Sequence, residues 1–278
     1  MRGTTRTVGV IGWPVAHSFS PAMHNAAFEA MGLDWVYVAL PVRPGAMAAA
    51  LDGLVALGFA GVNVTMPHKV EAADRCDELS DDARRLGAVN TIAIEAGRRI
   101  GHNTDAPGFH RFLSHDARFD ATARSAVILG AGGAARAVAL SLARAGLGEL
   151  TVAARDPAAV DPIAGALEGL PTAVRAVAFD GARDLRPDLV VNATPLGAEG
   201  EELPLPQMGA DSLAVDLIYR SPQTTLLRTA RAAGATAFGG LGLLLHQAAA
   251  AFELWTGSAP PLAVMSAAAV AQLAEPPS

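Results

Sequence analysis

Lysine and cysteine each occur once in this chain of 278 residues. One cysteine, Cys76, cannot close an intrachain disulfide, and zinc sites built from several thiolates are excluded. No metal site is expected. The scarcity of thiols fits a reducing compartment, and a cytoplasmic location is the expectation. No uninterrupted, strongly apolar stretch reaches the ~18 residues that a membrane-spanning helix needs. The first residues, MRGTTRTVGVIGWPV, are basic but lack a long apolar region, so they read as a first strand rather than a signal peptide. There is no Lys/Arg run, and the net charge is −6. A nucleic-acid surface normally needs a basic stripe. The expected partner is therefore a small molecule, with no nucleic acid and no membrane. Aromatic residues make up only 5%, while alanine is abundant, which suits helices packed closely on a sheet.

What is present is an alternation of strand and helix signals. TVGVIG (7–12), DWVYVALPV (34–42) and GVNVTM (61–66) read as strands. SPAMHNAAFEAMG (20–32) and PGAMAAALDGLVALG (44–58) read as the helices between them, each ended by glycine. Ser20 can cap the first helix and Pro21 fits its first turn. This order predicts a parallel sheet with crossover helices. A short helical region follows, then a hairpin turning near Ala96-Gly97. A second alternating series begins near residue 125, with strands in SAVILG, ELTVAA, TAVRAVAF, DLVVNAT and SLAVDLI. Helices over 241–256 and about 260–274 follow and could fold back onto the first half. The AEPPS tail is expected to fray.

SAVILGAGGAARAVALSLARAG (125–146) places Gly130-x-Gly132-x-x-Ala135 directly after an apolar strand and at the start of a helix. Gly130 permits the tight turn, Gly132 lets backbone amides approach a pyrophosphate, and Ala135 lets the helix lie close to the strand. The helix N-terminus adds oriented donors. The bland alternative is a strand–helix turn with no ligand. At the end of the next strand an acid suits a free ribose 2′-hydroxyl and an arginine suits a 2′-phosphate. Here Arg155 is followed by Asp156. Arg155 favours NADP; Asp156 opposes it unless it caps the next helix through Pro157, so NAD stays possible.

A nicotinamide cofactor implies hydride transfer, and a carbonyl that receives hydride needs a proton. Most lysines sit in water on helix faces, but Lys69, in NVTMPHK just after a strand, is placed to supply that proton. Asp105, at the end of GHNTD, can hold its ammonium, or else cap a helix over 105–115. In the last helices, Leu243, Leu244, Gln247, Ala251 and Leu254 share one stripe. Gln247 is thus expected to face inward, with His246 and Glu253 solvated on the other face. Asn90 interrupts an apolar strand, and Thr65 lies two residues before Pro67. Ser18 and Ser20 precede a helix and could bind a carboxylate. Tyr219 ends the strand SLAVDLIY.

Taken together, GWPVAHSFSP, GVNVTMPHK, GAVNT, GHNTD, GAGGAAR, VNATPLG, DLIY and GLGLLLHQAAAAF resemble the shikimate dehydrogenase family. They occur in that family's order and cover nearly the whole chain. The resemblance implies reversible, NADPH-dependent reduction of 3-dehydroshikimate to shikimate, in aromatic amino-acid biosynthesis. It implies that Ser18 and Ser20 hold the substrate carboxylate, and that Thr65, Lys69, Asn90, Asp105, Tyr219 and Gln247 surround the ring hydroxyls. Lys69 would be the proton donor and acceptor, with Asp105 as its partner. Gly130, Ala131, Gly132, Gly133 and Ala134, the segment Ala154-Arg155-Asp156, Leu217 and Gly240 would contact the cofactor, and Asp81 matches a position sometimes assigned to it.

The sequence departs from the family in two places. NADP-specific members commonly carry a second basic residue after Arg155, where this chain has Ala159. GHNTD is followed by Ala106-Pro107-Gly108, which predicts a local change in a hinge and none in the chemistry. The expected architecture is a substrate domain over 1–104 plus 241–278, a Rossmann domain over 105–240, and a cleft between them, in a monomer or homodimer. Quinate or aminoshikimate oxidation with NAD is the nearest alternative. A non-catalytic nucleotide sensor would have no need of Lys69 and Asp105 together, and a folate-type dehydrogenase fits the paired serines poorly.

Overall fold

The structure, a computed structural model, describes residues 2–274. Of the tail expected to fray, Ala274 still closes the last helix, and 275–278 lie outside the described residues. The chain divides into two compact units, Met1–Thr104 with Gln247–Ser278, and Asp105–His246.

The first unit opens with β1 (Arg6–Gly12), α1 (Ser20–Ala30), β2 (Trp35–Pro41), α2 (Met47–Ala56) and β3 (Gly61–Val64). Next come α3 (Lys69–Asp74), β4 (Glu78–Leu79), α4 (Asp81–Leu86), β5 (Thr91–Glu95) and β6 (Arg98–His102). The sheet order is β2-β1-β3-β5-β6-β4. β1 pairs in parallel with β2 and β3, as the alternation predicts, and β5 then runs antiparallel to β3. The β5–β6 hairpin turns at Ala96 and Gly97, with φ of 49° and 79°, the left-handed pair that a two-residue turn matched to strand twist requires. Ile11, Met47, Leu51, Val62, Val64, Val89 and Ile92 form the core against α2 and α3.

The second unit contains α5 (Asp105–Arg111), continued as a π-turn over Phe112–Asp116, then β7 (Ser125–Leu129), α6 (Gly133–Arg144) and β8 (Glu149–Ala154). It continues with α7 (Asp161–Ala166), β9 (Ala173–Ala178), β10 (Leu189–Asn192), β11 (Leu213–Asp216), α8 (Thr225–Ala232) and β12 (Thr236–Phe238). All six strands are parallel, in the order β12-β11-β10-β7-β8-β9. Counted within the unit this is 6-5-4-1-2-3, the doubly wound order whose direction reverses beside its first strand. Ala135 and Ala137 through Ala143 on α6 are all buried; small side chains let the helix lie close on the sheet.

α9 (Leu241–Thr256) and α10 (Leu262–Ala274) complete the chain, and α10 packs on α1. The expected inward stripe of α9 is shifted. Leu254 is 39% exposed, while Ala248, Ala249, Ala251, Phe252 and Trp255 are buried. The run of alanines lets the helix approach closely on the side that a hydrophobic pattern underrates. Trp255 Nε1 donates to the Ile92 carbonyl at 3.1 Å. It does so across Gly61, where a Cβ would lie 2.3 Å from both the indole nitrogen and that carbonyl oxygen.

Candidate active site

In the first unit, β1, β2 and β3 end side by side, and the loops leaving them are bonded to one another. The Thr65 amide donates to Ile11 O (2.8 Å), Trp13 N to Met66 O (3.0 Å), Val42 N to Gly12 O (3.2 Å) and His68 N to Thr65 O (3.0 Å). His68 is buried, and its Nε2 donates to Val42 O at 2.7 Å. Thr65 is in this turn rather than in β3, because the strand stops at Val64. Lys69 follows as the first residue of α3, and its carbonyl accepts from Val89 N at 2.8 Å. Its backbone is therefore tied to the residue preceding Asn90.

Asn90 stands one residue before β5 and is buried. Its Oδ1 accepts from the Thr104 amide (2.7 Å) and the Thr91 hydroxyl (3.0 Å), and its Nδ2 donates to Thr104 Oγ1 (3.0 Å). Those bonds fix the amide's orientation, with the nitrogen as its donor end. The chain of bonds continues: Asn63 Nδ2 donates to Thr91 Oγ1 (2.9 Å), and Tyr37 Oη donates to Asn63 Oδ1 (2.7 Å). Burial pushes the Tyr37 phenol well above its usual range. Buried Tyr37, Asn63 and Thr91 thus form a chain of bonds that ends on Asn90. Sequence reasoning missed Tyr37, Asn63, Thr91 and Thr104; the signal was polar residues clustered in otherwise apolar segments.

Ser20 is not the cap of α1. Phe19 occupies that position without a side-chain bond, and Ser18 Oγ accepts from the Ser20 amide at 3.2 Å. The short hydroxyl two residues back reaches that amide. Gln247 is half-buried on α9. Asp81 is the first residue of α4, with Arg85 at 3.5 Å. Cys76 is half-buried and burial pushes its thiol up to about 11, so it is a poor nucleophile.

In the second unit the glycine turn joins β7 to α6. Gly130 has φ of 102°, and a Cβ there would lie 2.8 Å from Thr194 Cγ2. Gly132 occupies the N-cap position of α6 with no side chain to bond the first amides. Ideal Cβ atoms on Gly132 and Gly133 would meet nothing within 4 Å, so open space lies over the helix N-terminus. Ala131 and Ala134 flank this opening, partly exposed, and Ala135 is fully buried. The fit to a pyrophosphate is direct: amides without a cap, a positive dipole end and no side chain in the way.

β8 ends at buried Ala154, and Arg155 is exposed immediately beyond it. Asp156 Oδ1 accepts from Ala158 N at 3.0 Å and so caps the 3₁₀ turn Pro157–Val160. The acid is thus used by its own turn, and the arginine stands exposed at the carboxyl end of β8. Leu217 and Gly240 touch: Gly240 N donates to Ile218 O at 3.1 Å, and a Cβ on Gly240 would lie 2.2 Å from Leu217 O. Asp105 is buried and opens α5. Tyr219, half-buried, lies three residues beyond β11, because that strand ends at Asp216 rather than running on to the tyrosine. His246 is not solvated as expected. It is 4% exposed, with Nε2 3.1 Å from Asp116 Oδ2, because the π-turn brings a carboxylate to that face of α9. Among the described residues no cluster of His, Cys, Asp and Glu could hold a metal.

Residues 10–92 match the shikimate dehydrogenase substrate binding domain, and 240–270 match the shikimate 5'-dehydrogenase C-terminal domain. A shikimate dehydrogenase (NADP(+)) of Methanopyrus kandleri is 46% identical to this chain, over 97% of it and 96% of the relative. The shikimate 5-dehydrogenase of Thermus thermophilus, solved in complex with NADP(H) and shikimate, is 39% identical with a TM-score of 0.85, covering 96% of this chain and 99% of that one. A quinate dehydrogenase from Corynebacterium glutamicum, solved in complex with NAD, is 35% identical with a TM-score of 0.88 over 96% and 99%. With near-complete relatives at this identity, the chain belongs to the shikimate dehydrogenase family.

Proposed function

We propose that this chain is a shikimate dehydrogenase that reversibly reduces 3-dehydroshikimate to shikimate with NADPH. One observation carries the reading beyond family membership. The only lysine of the chain opens α3 at the carboxyl ends of three strands, tethered beside a buried asparagine whose amide is fixed as a donor. NADPH, when bound, supplies the hydride. Lys69 gives its proton to the carbonyl oxygen, and takes it back from the hydroxyl in the reverse direction, with Asp105 as its carboxylate partner. Ser18 and Ser20 hold the substrate carboxylate through their hydroxyls. Thr65, Asn90, Tyr219 and Gln247 orient the ring hydroxyls. Gly130 to Ala134, Leu217 and Gly240 hold the dinucleotide, and Arg155 reads its 2′-phosphate.

Ser18, Ser20, Thr65, Lys69, Asn90 and Gln247 belong to the 1–104 and C-terminal portion, and Asp105, Tyr219, the glycine loop, Arg155, Leu217 and Gly240 to the Rossmann portion. Among the described residues no helix is long and apolar enough to cross a membrane. A cytoplasmic monomer or homodimer completes the reading.

A second reading is NAD-dependent oxidation of quinate. It is favoured by Ala159, where a second basic residue would clamp the 2′-phosphate, and by the similarity to the NAD-bound quinate dehydrogenase. Rates with shikimate and quinate, each with NADP⁺ and NAD⁺, decide between them. Shikimate with NADP⁺ is expected to be fastest. Faster turnover of quinate with NAD⁺ would establish the second reading, and no turnover with any pair would leave a nucleotide-binding protein without this chemistry.

A further inference from the structure

Two loops that border the cofactor candidates are held by one carboxylate that no functional assignment uses. Asp216, fully buried, is the last residue of β11. Its Oδ1 accepts from the Ile218 amide at 3.0 Å and from Asn192 Nδ2 at 3.1 Å, and its Oδ2 accepts from Thr224 Oγ1 at 2.6 Å. The three donors belong to three different segments. Ile218 sits between Leu217 and Tyr219. Asn192 ends β10, and its Oδ1 accepts from both the amide and the hydroxyl of Thr194, at 3.0 and 2.7 Å. Thr224 is the cap of α8, where its hydroxyl accepts from Leu227 N at 3.3 Å.

Both loops reach the candidate cofactor site. Thr194 Cγ2 stands where a Cβ on Gly130 would approach to 2.8 Å, so the loop after β10 buttresses the glycine turn. The turn after β11 carries Leu217, whose carbonyl presses on Gly240. Burial raises the Asp216 carboxyl against the opposing pull of its three bonds. An apolar residue here would avoid that desolvation but take the acceptor from the buried Thr224 hydroxyl, from the Ile218 amide and from one N–H of Asn192, whose amide nitrogen also donates to Leu196 O at 3.0 Å. A carboxylate has two acceptor oxygens and no donor, which is what three converging donors require.

We propose that Asp216 is a positioning residue for the dinucleotide: it sets the register of the 193–197 and 217–219 loops on either side of it. The inference rests on the NADP reading of this unit. The test measures NADP⁺ affinity by calorimetry on the full-length wild type, Asp216→Ala, Asp216→Asn, Thr224→Val and Thr224→Ser, with peptide-resolved amide hydrogen exchange on each. Asp216→Ala and Thr224→Val are expected to weaken NADP⁺ binding roughly tenfold or more, the effect of losing a charge-assisted hydrogen bond. Exchange should accelerate in peptides covering 193–197 and 217–219 but not in β7. Thr224→Ser, which keeps the hydroxyl, should bind as wild type, and Asp216→Asn, which keeps one acceptor oxygen, should fall between. A lowered unfolding temperature with unchanged NADP⁺ affinity in both Asp216→Ala and Thr224→Val would overturn the inference. If Asp216→Ala does not fold, the Thr224 pair decides the question by the same comparison. Absence of NADP⁺ binding by the wild type would instead overturn the cofactor reading, and this inference with it.

Discussion

His24 lies fully buried with neither ring nitrogen hydrogen-bonded, stacked 4.4 Å from the Tyr37 ring. Burial pushes its pKa down to about 3. The folded state therefore holds it neutral, while the unfolded chain takes up a proton near pH 6.5. Its contribution is complete above about pH 6.5 and is lost as pH falls towards 3, at about 1.4 kcal/mol per unit. Urea midpoints should thus fall between pH 7 and 5 by the equivalent of about 2 kcal/mol. Most of that slope should vanish in His24→Phe; an unchanged slope would assign it elsewhere, as to His102, which burial also lowers. Arg155 supports a prediction at the same scale. Arg155→Ser should raise the Michaelis constant for NADP⁺ roughly ten- to a hundredfold, as expected for a lost charged hydrogen bond, and leave that for NAD⁺ nearly unchanged. Equal effects on the two cofactors would remove it as the phosphate reader. Single residues were legible where their type conflicts with their setting, as for Asn90, a polar residue in an apolar segment that the structure buries. His246 was not: a helical wheel does not know that a π-turn more than a hundred residues earlier brings Asp116 to it.

Among the elements, the glycine turn was legible because strand, turn and helix signals agree in one short stretch. β4 and β12 were not, because edge strands of two and three residues have no room for a periodic pattern. The face of α9 was misread because alanines give almost no contrast between its sides. That helix is seated by Trp255 over Gly61, which leads to a prediction at this scale. Gly61→Ala should destabilise the fold by about 1–3 kcal/mol, the usual range for forced overpacking. It should also raise the Michaelis constant for shikimate, because α9 carries Gln247. Calorimetric unfolding and steady-state kinetics check the two halves of the prediction; wild-type behaviour in both would mean that the helix is held elsewhere.

At the scale of the molecule, the alternation of strands and helices was readable apart from the two short edge strands, and so was the doubly wound half. The antiparallel turn of the first sheet was announced by Ala96-Gly97. The bond network from Tyr37 to Asn90 was not, because it joins residues more than fifty positions apart through side chains whose partners no local pattern names. A chain with one lysine allows a test that few enzymes permit. Amine-directed acylation should add one side-chain adduct, on the peptide carrying Lys69, and turnover should fall in step with it. Shikimate should protect against both. Full labelling of Lys69 with activity retained would separate the lysine from catalysis.

The most direct test of the central claim compares shikimate oxidation by the wild type and by Lys69→Ala, followed as reduced nicotinamide appears. Turnover of the variant is predicted to be lower by about 10²–10⁴, the range for lost general acid–base catalysis, with the Michaelis constant for shikimate changed much less. Wild-type turnover in Lys69→Ala would contradict the claim, because the proton would then come from another group.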